Sequence, residues 1–259
     1  MASADNTSVM HVPSSEDSRW RLRVGLHSER GTRERNDDYG NWLEDADVFA
    51  LADGIGGAPF GDVMARVAVN AALNGWRMAH AYDDEGNVLC DRVREGLSPQ
   101  LYHTRAMFEQ ADIWIGDTKT LLDERGCGTT LVTAACEGDE LVIGSVGDTG
   151  AFRLRDGVLE RLNPVGRAGE GTNALASALG GRSGADPALW SGALADGDVY
   201  LLATDGIWAH ATHDEMVRVL VQGMPNAPRM AHDLAASTVW RDNATALVIV
   251  VQRLEGDEA

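Results

Sequence analysis

Residues Val48 to Gly61, V-F-A-L-A-D-G-I-G-G-A-P-F-G, decide how the rest of the chain is read. Val48, Phe49, Ala50, Leu51 and Ala52 are five apolar or small residues in a row, the texture of a short buried strand. The strand runs into Asp53, then into Gly54, Gly56, Gly57 and Gly61, and a helical pattern follows. A carboxylate at the point where a strand gives way to a glycine-rich turn can project beyond the sheet edge towards a ligand. Glycines let the backbone come close to that ligand and present its N–H and C=O groups. An Asp that merely caps a strand–turn–helix connection fits the same residues. Alone, the stretch leaves both readings open.

Other acidic strand ends decide between them. An apolar run, Val199 to Ala203, ends in Thr204-Asp205-Gly206 and echoes Ala52-Asp53-Gly54. Gly147-Asp148-Thr149-Gly150 lies between two short strands, and Arg241-Asp242-Asn243 precedes the final strand, Ala244 to Val251. Just upstream of the opening stretch, G-T-R-E-R-N-D-D-Y-G places Arg33 four and five residues before Asp37 and Asp38. That segment is too charged for a core, and a solvated loop with a local ion pair is its plain reading.

Around these positions the pattern alternates between strand and helix. Trp20 onward, W-R-L-R-V-G-L, alternates as a half-buried strand does. Phe60 to Ala79 carries an apolar stripe at Val63, Val67, Ala68, Ala71, Gly75 and Trp76, the spacing of an amphipathic helix. A second helical region runs from Val88 to about Leu122, interrupted near Ser98-Pro99. From Gly126 the texture becomes short strands with turns at Glu137-Gly138-Asp139 and Asp156-Gly157. Asn163 to Gly184 reads as a loop with a short helical piece at Asn173–Leu179. Thr212 and Glu215 form a capping box ahead of a helix at His213–Val221, and a last helix spans about Pro228 to Thr238.

Composition narrows the classes. A 259-residue chain with 44% hydrophobic and 24% charged residues reads as a globular protein with ample chain for a core. Its net charge of −18 argues against nucleic acid or an anionic membrane surface as partner. Cys90, Cys127 and Cys136 lack zinc or disulfide spacing and read as buried thiols of a cytoplasmic protein. The seven histidines are scattered without H-x-x-x-H or similar spacing, which argues against a histidine metal site. Residues 1–18 read as a flexible polar tail without a signal sequence, and no apolar run is long enough for a membrane helix.

Asp53, Asp148, Asp205 and Asp242, with Asp37 and Asp38, therefore share one description, a carboxylate at or near a strand end. Gathered without His or Cys partners, they suit hard cations such as Mg²⁺ or Mn²⁺. Without a cation such a cluster would repel itself. Two ions about 3.5–4 Å apart can share one bridging Asp and activate a water for in-line attack on phosphorus. The planar donor fork of Arg33 suits phosphoryl oxygens.

The chain resembles the metal-dependent protein serine/threonine phosphatases of the protein phosphatase 2C type, in their compact bacterial form. The resemblance covers roughly residues 20 to 253 and rests on six ordered motifs. They are Arg33 with Asn36-Asp37-Asp38; Ala52 to Gly57 with Gly61; Gly126 to Thr130; Val146 to Thr149; Leu201 to Gly206; and Asp242 to Thr245. It implies an α+β fold, a four-layer α/β/β/α sandwich of two antiparallel sheets flanked by helix pairs, in a single domain over residues 19–254. It implies that Asp53 bridges two Mg²⁺ or Mn²⁺ ions and that the Gly54 carbonyl binds one of them. Asp205 and Asp242 complete the first site, Asp37 or Asp38 reaches the second, and Arg33 binds the substrate phosphate. Asp148 matches the position of a third, weaker ion. A hydroxide bridging the two ions would attack phosphoserine or phosphothreonine directly. Phosphorylated proteins and an opposing kinase are the implied partners of a monomeric cytoplasmic enzyme.

Several positions depart from the family pattern. Ile55 stands where animal members carry a histidine general acid. Thr149-Gly150 replaces the usual Ser-Arg, and Ala209 replaces an acidic residue of the third metal site. The segment at 163–173 is short for the flap that family members place over the site, which implies a more open cavity. These departures keep open a catalytically weak or inactive relative that binds phosphoproteins or regulates a partner. A phosphatase for small phosphate esters is a further alternative.

Overall fold

The structure is a computed structural model that describes residues 10–12, 19–55, 60–84, 98–169, 175–181, 186–237 and 242–254. Among the described residues, eleven strands lie in two antiparallel sheets. In chain order they are β1 (Met10–Val12), β2 (Trp20–Glu29), β3 (Asp38–Leu43), β4 (Val48–Asp53), β5 (Leu131–Glu137), β6 (Glu140–Val146), β7 (Gly150–Arg155), β8 (Val158–Arg161), β9 (Ala188–Ala193), β10 (Val199–Ala203) and β11 (Ala244–Arg253). Sheet A has the order β1-β2-β11-β10-β7-β8, and sheet B the order β3-β4-β5-β6-β9.

Side-chain alternation along the strands explains why the sheets stack. Leu22, Val24 and Leu26 of β2 and Leu247, Ile249 and Val251 of β11 point inward, where they meet Phe49 and Leu51 of β4 and Leu141 and Ile143 of β6. The intervening residues face outward and need a second cover. On sheet B, Val48, Ala50, Ala52 and Leu131 pack under α1 (Gly61–Asp84) and α2 (Pro99–Leu122). On sheet A, Leu201, Ala203, Ala246 and Val248 pack under α4 (His213–Gly223) and α5 (Ala227–Ala236). Three cores between four layers make the α/β/β/α sandwich, and the flat apolar run of β4 is explained by burial on both faces. Between β10 and α4, the four-residue α3 (Asp205–Trp208) turns the chain away from the sheet.

Several sequence expectations are corrected. Residues 10–12, assigned to the polar tail, pair antiparallel with β2 from Met10↔Val24 to Val12↔Leu22, giving the edge of β2 backbone partners. The buried stripe of α1 runs through Met64, Ala65, Ala68, Ala72 and Trp76, and Val63 and Val67 fall at its margin. The expected helical piece near 173–179 is not helical over its described residues 175–179. There the backbone bonds across the chain, with Ala176 N–H to the Gly166 carbonyl and Leu179 N–H to the Thr129 carbonyl. The helical reading of Val88 to Gly96, and Gly56 and Gly57, lie outside the described residues. The capping box at Thr212 and Glu215 is present.

Candidate metal centre

The acidic cluster grows out of strand register. β3 and β4 pair with Asp38 directly opposite Asp53, an arrangement in which like charges destabilise a sheet. On sheet A, the pairing Ala203↔Ala246 brings the end of β10 beside the start of β11, and so Asp205 beside Asp242. Gly206 is required there, because a Cβ would run into the Asn243 carbonyl. Asp148 lies in the connection from β6 of sheet B to β7 of sheet A, at the same rim. Gly54 closes the floor. Its N–H donates to the Asp37 carbonyl at 3.0 Å, and a Cβ on it would strike the backbone of Gly61.

These elements enclose a cavity of about 570 Å³ whose wall carries Arg33, Asp37, Asp53, Gly54, Asp148, Asp205 and Asp242. Seven of the eight residues anticipated for the site thus share one surface. The eighth, Asp38, is buried and off the wall, where its Oδ2 accepts from Thr204 Oγ1 at 2.8 Å and Thr245 Oγ1 at 2.7 Å. Of the two upstream carboxylates, Asp37 is the one that faces the cavity.

The electrostatics differ around the wall. Burial first, and then the charges of Asp38, Asp205, Asp148 and Asp242, push the Asp53 carboxyl well above its ordinary range. Burial pushes Asp38 up to about 7, against the lowering effect of its threonine donors. Asp205 is also raised, by burial and by Asp148 and Asp242, with Arg167 opposing. Arginines neutralise the far side. Arg33 bonds Asp242 at 2.6 Å, while Arg167 bonds both Asp148 Oδ2 and Asp205 Oδ2 at 3.0 Å.

Arg167 has no signature in the sequence, where it is one of two arginines in a Gly/Ala-rich loop. Arg161 and Arg167 both lie over the Trp208 ring, 4.4 and 4.6 Å from its centroid. The threonines and Asn243 are motif residues whose roles only the fold reveals. The Asp53 carbonyl accepts from Thr129 Oγ1 and from Thr130 N–H, at 2.8 and 2.9 Å, which fixes the strand end that carries the carboxylate. Asn243 accepts from the Asp37 N–H and donates to the carbonyls of Arg30 and Arg35, pinning the whole Arg33 loop. Ile55 lines the cavity, held by its N–H to the Gly128 carbonyl.

The donor set fits hard divalent cations. It is all oxygen, and buried oxygens remain without hydrogen-bond partners among the described residues. One is Asp38 Oδ1; another is Asp37 Oδ1, which stands 3.9 Å from Arg35 Nε. Buried carboxylate oxygens left this way are costly unless a cation meets them.

Comparison with known proteins agrees with this geometry. Over residues 25–252 the chain matches the family model described as protein phosphatase 2C. Serine/threonine protein phosphatase PstP of Mycobacterium tuberculosis is 29% identical over 88% of this chain and 44% of its own length. Serine/threonine phosphatase stp of Listeria monocytogenes is 28% identical over 54% of this chain and 53% of its own. The chain thus spans about half the length of the curated relatives it matches. The solved catalytic domain of PstP, in complex with two manganese ions, is 26% identical, with a TM-score of 0.69 over 90% of this chain and 99% of that one. Since the matched model runs from β2 to the end of β11 and takes in every acidic position of the cavity, the chain belongs to the protein phosphatase 2C family.

Proposed function

We propose that the chain is a Mg²⁺- or Mn²⁺-dependent phosphatase acting on phosphoserine and phosphothreonine in proteins, opposed in its cell by a kinase. The carrying observation is the rim of converging carboxylates, with the half-exposed Arg33 beside them at the cavity wall. Asp37, Asp53, the Gly54 carbonyl, Asp205 and Asp242 would hold two ions, as the two manganese ions of the PstP structure suggest. Bound there, the ions supply Lewis acidity and a water that ionises near neutral pH.

The chain's own residues do the rest. Arg33 leaves Asp242 for the phosphoryl oxygens, offering two parallel N–H donors to the charge that builds there. Asp53, raised by burial and by its acidic neighbours, has its ionised form favoured when cationic charge arrives. Ile55 carries no proton, so the leaving serine or threonine oxygen takes its proton from solvent water. Arg167 holds Asp148 and Asp205 in place at the rim of the third position, where Ala209 supplies no carboxylate. The segment at 163–173, of which 170–173 lie outside the described residues, is a short flap in this reading.

The test is hydrolysis of p-nitrophenyl phosphate and of a phosphothreonine peptide with Mn²⁺, with EDTA, and in Asp205→Asn. Turnover that needs metal and falls in the variant is expected. No metal-dependent turnover on either substrate would reject the enzyme, and full activity in Asp205→Asn would reject the metal assignment.

A further inference from the structure

Far from the acidic cavity, the fold assembles a second group of metal-ligating side chains from three elements. His80 lies in the last turns of α1, His103 in the first turns of α2, and Glu137 is the last residue of β5. Their ligand atoms all lie within 4.8 Å of one another. His80 Nε2 is 3.5 Å from Glu137 Oε1, and His103 Nδ1 is 3.8 Å from Glu137 Oε2. Thr130 lines the acidic cavity and directly precedes β5, so the six steps from Leu131 to Glu137 separate the two places by roughly 20 Å.

We propose that His80, His103 and Glu137 form a second metal site, one that takes a borderline divalent ion, zinc foremost. Two imidazoles and one carboxylate are a donor set suited to zinc, whereas Mg²⁺ prefers oxygen alone. Ligands about 2.0–2.2 Å from a tetrahedral ion stand about 3.4 Å apart, so the observed separations close with small side-chain movements. The rings are already oriented. Trp76 stacks on His80 at 5.1 Å and meets His103 edge-on at 5.3 Å, while the two imidazoles are 4.5 Å apart.

Two observations point to a ligand rather than to a closed ion-pair cluster. Glu137 Oε2 is buried and has no hydrogen-bond partner among the described residues. At the same time the side chains of His80 and Glu137 keep 40% and 28% of their surface exposed, which gives an ion and its fourth ligand, water, access from solvent. An ion there would tie the distal end of the α1–α2 pair to β5. The site's ligands are independent of the phosphatase reading, since none of them touches the acidic cavity.

Zinc binding by equilibrium dialysis, with Mg²⁺ in excess, tests this in wild type, His80→Ala, Glu137→Gln and Asp53→Asn. One tight equivalent is expected in wild type and in Asp53→Asn, weakened about 100-fold or more when a ligand is removed. Co²⁺ should give a visible d–d spectrum that disappears in His80→Ala, and zinc should raise Tm in wild type and Asp53→Asn but not in His80→Ala or Glu137→Gln. Circular dichroism establishes that His80→Ala is folded, and the exposed-side change Glu137→Gln gives a second reading. The proposal is overturned by no zinc bound at micromolar concentration, or by an equivalent that survives both His80→Ala and Glu137→Gln. It is equally overturned if that equivalent is lost in Asp53→Asn, which would place the ion in the acidic cavity.

Discussion

The two walls of the acidic cavity solve the same problem in opposite ways. On the sheet B side, Asp53 faces Asp38 across β3 and β4, Asp38 accepts from the hydroxyls of Thr204 and Thr245, and among the described residues no arginine bonds either carboxylate. On the sheet A wall, Asp148, Asp205 and Asp242 are each bonded to an arginine. A hydroxyl offers a dipole, an arginine a full charge. Burial and mutual repulsion therefore favour the protonated form of Asp53 and Asp38 until a cation comes, while on the second wall an incoming cation takes the place of a guanidinium.

Removing the uncompensated charge should have the largest effect. Asp53→Asn is expected to lower turnover about 1,000-fold or more while stabilising the metal-free protein by roughly 1–3 kcal/mol. Steady-state kinetics and urea unfolding in EDTA measure the two halves. A loss of both activity and metal-free stability would break the contrast.

The pH dependence follows next. Below about pH 4, Asp38 is protonated in both folded and unfolded chains. Between there and about 7 the unfolded chain releases a proton that the folded one keeps, so stability falls as pH rises and the loss is complete above 7. Asp53 and Asp205, also raised, act in the same direction. Roughly 2–4 kcal/mol should separate the EDTA-treated and Mg²⁺-saturated proteins at pH 7.5 beyond their difference at pH 4.5, read from urea midpoints.

Arg33→Ala removes a donor from the opposite wall. A loss of about 2–3 kcal/mol of transition-state binding, or roughly 30–150-fold in kcat/KM, is expected on p-nitrophenyl phosphate, with partial recovery in Arg33→Lys. Arg167→Ala should be the mildest change and have mixed sign. The metal-free protein loses about 1–2 kcal/mol, while Mn²⁺ binds roughly 3–10-fold tighter because it no longer competes with a guanidinium. Isothermal titration calorimetry reads the second effect, and unchanged affinity would mean that Arg167 does not compete with the ion.

What could be read from the chain was local. The carboxylates at 53, 148, 205 and 242 were visible because each follows or precedes an apolar run and adjoins Gly or Asn. β10 was legible to the residue for the same reason. β3 was hidden because its first residue is Asp38, a charge that belongs to the site rather than to a strand pattern. β9 was hidden because it lies at a sheet edge with mostly half-exposed residues. Arg167 reaches its carboxylates over 19 and 38 positions, and His80, His103 and Glu137 are brought together from 23 and 34 positions apart. No periodicity carries such distances; packing alone makes them.

The place of β11 in sheet A has a consequence for how the protein is born. This strand lies between β2 and β10, and the residues just before it are Asp242 and Asn243, the latter holding the loop of Asp37 and Arg33. Ribosomes deliver a chain from its N-terminus, so β2 and β10 emerge with their central partner still missing. Until β11 arrives, both offer open edges and the cavity lacks one wall. A chain ended before β11 therefore lacks the strand that joins the two halves of sheet A, and with it Asn243's hold on the loop of Asp37 and Arg33.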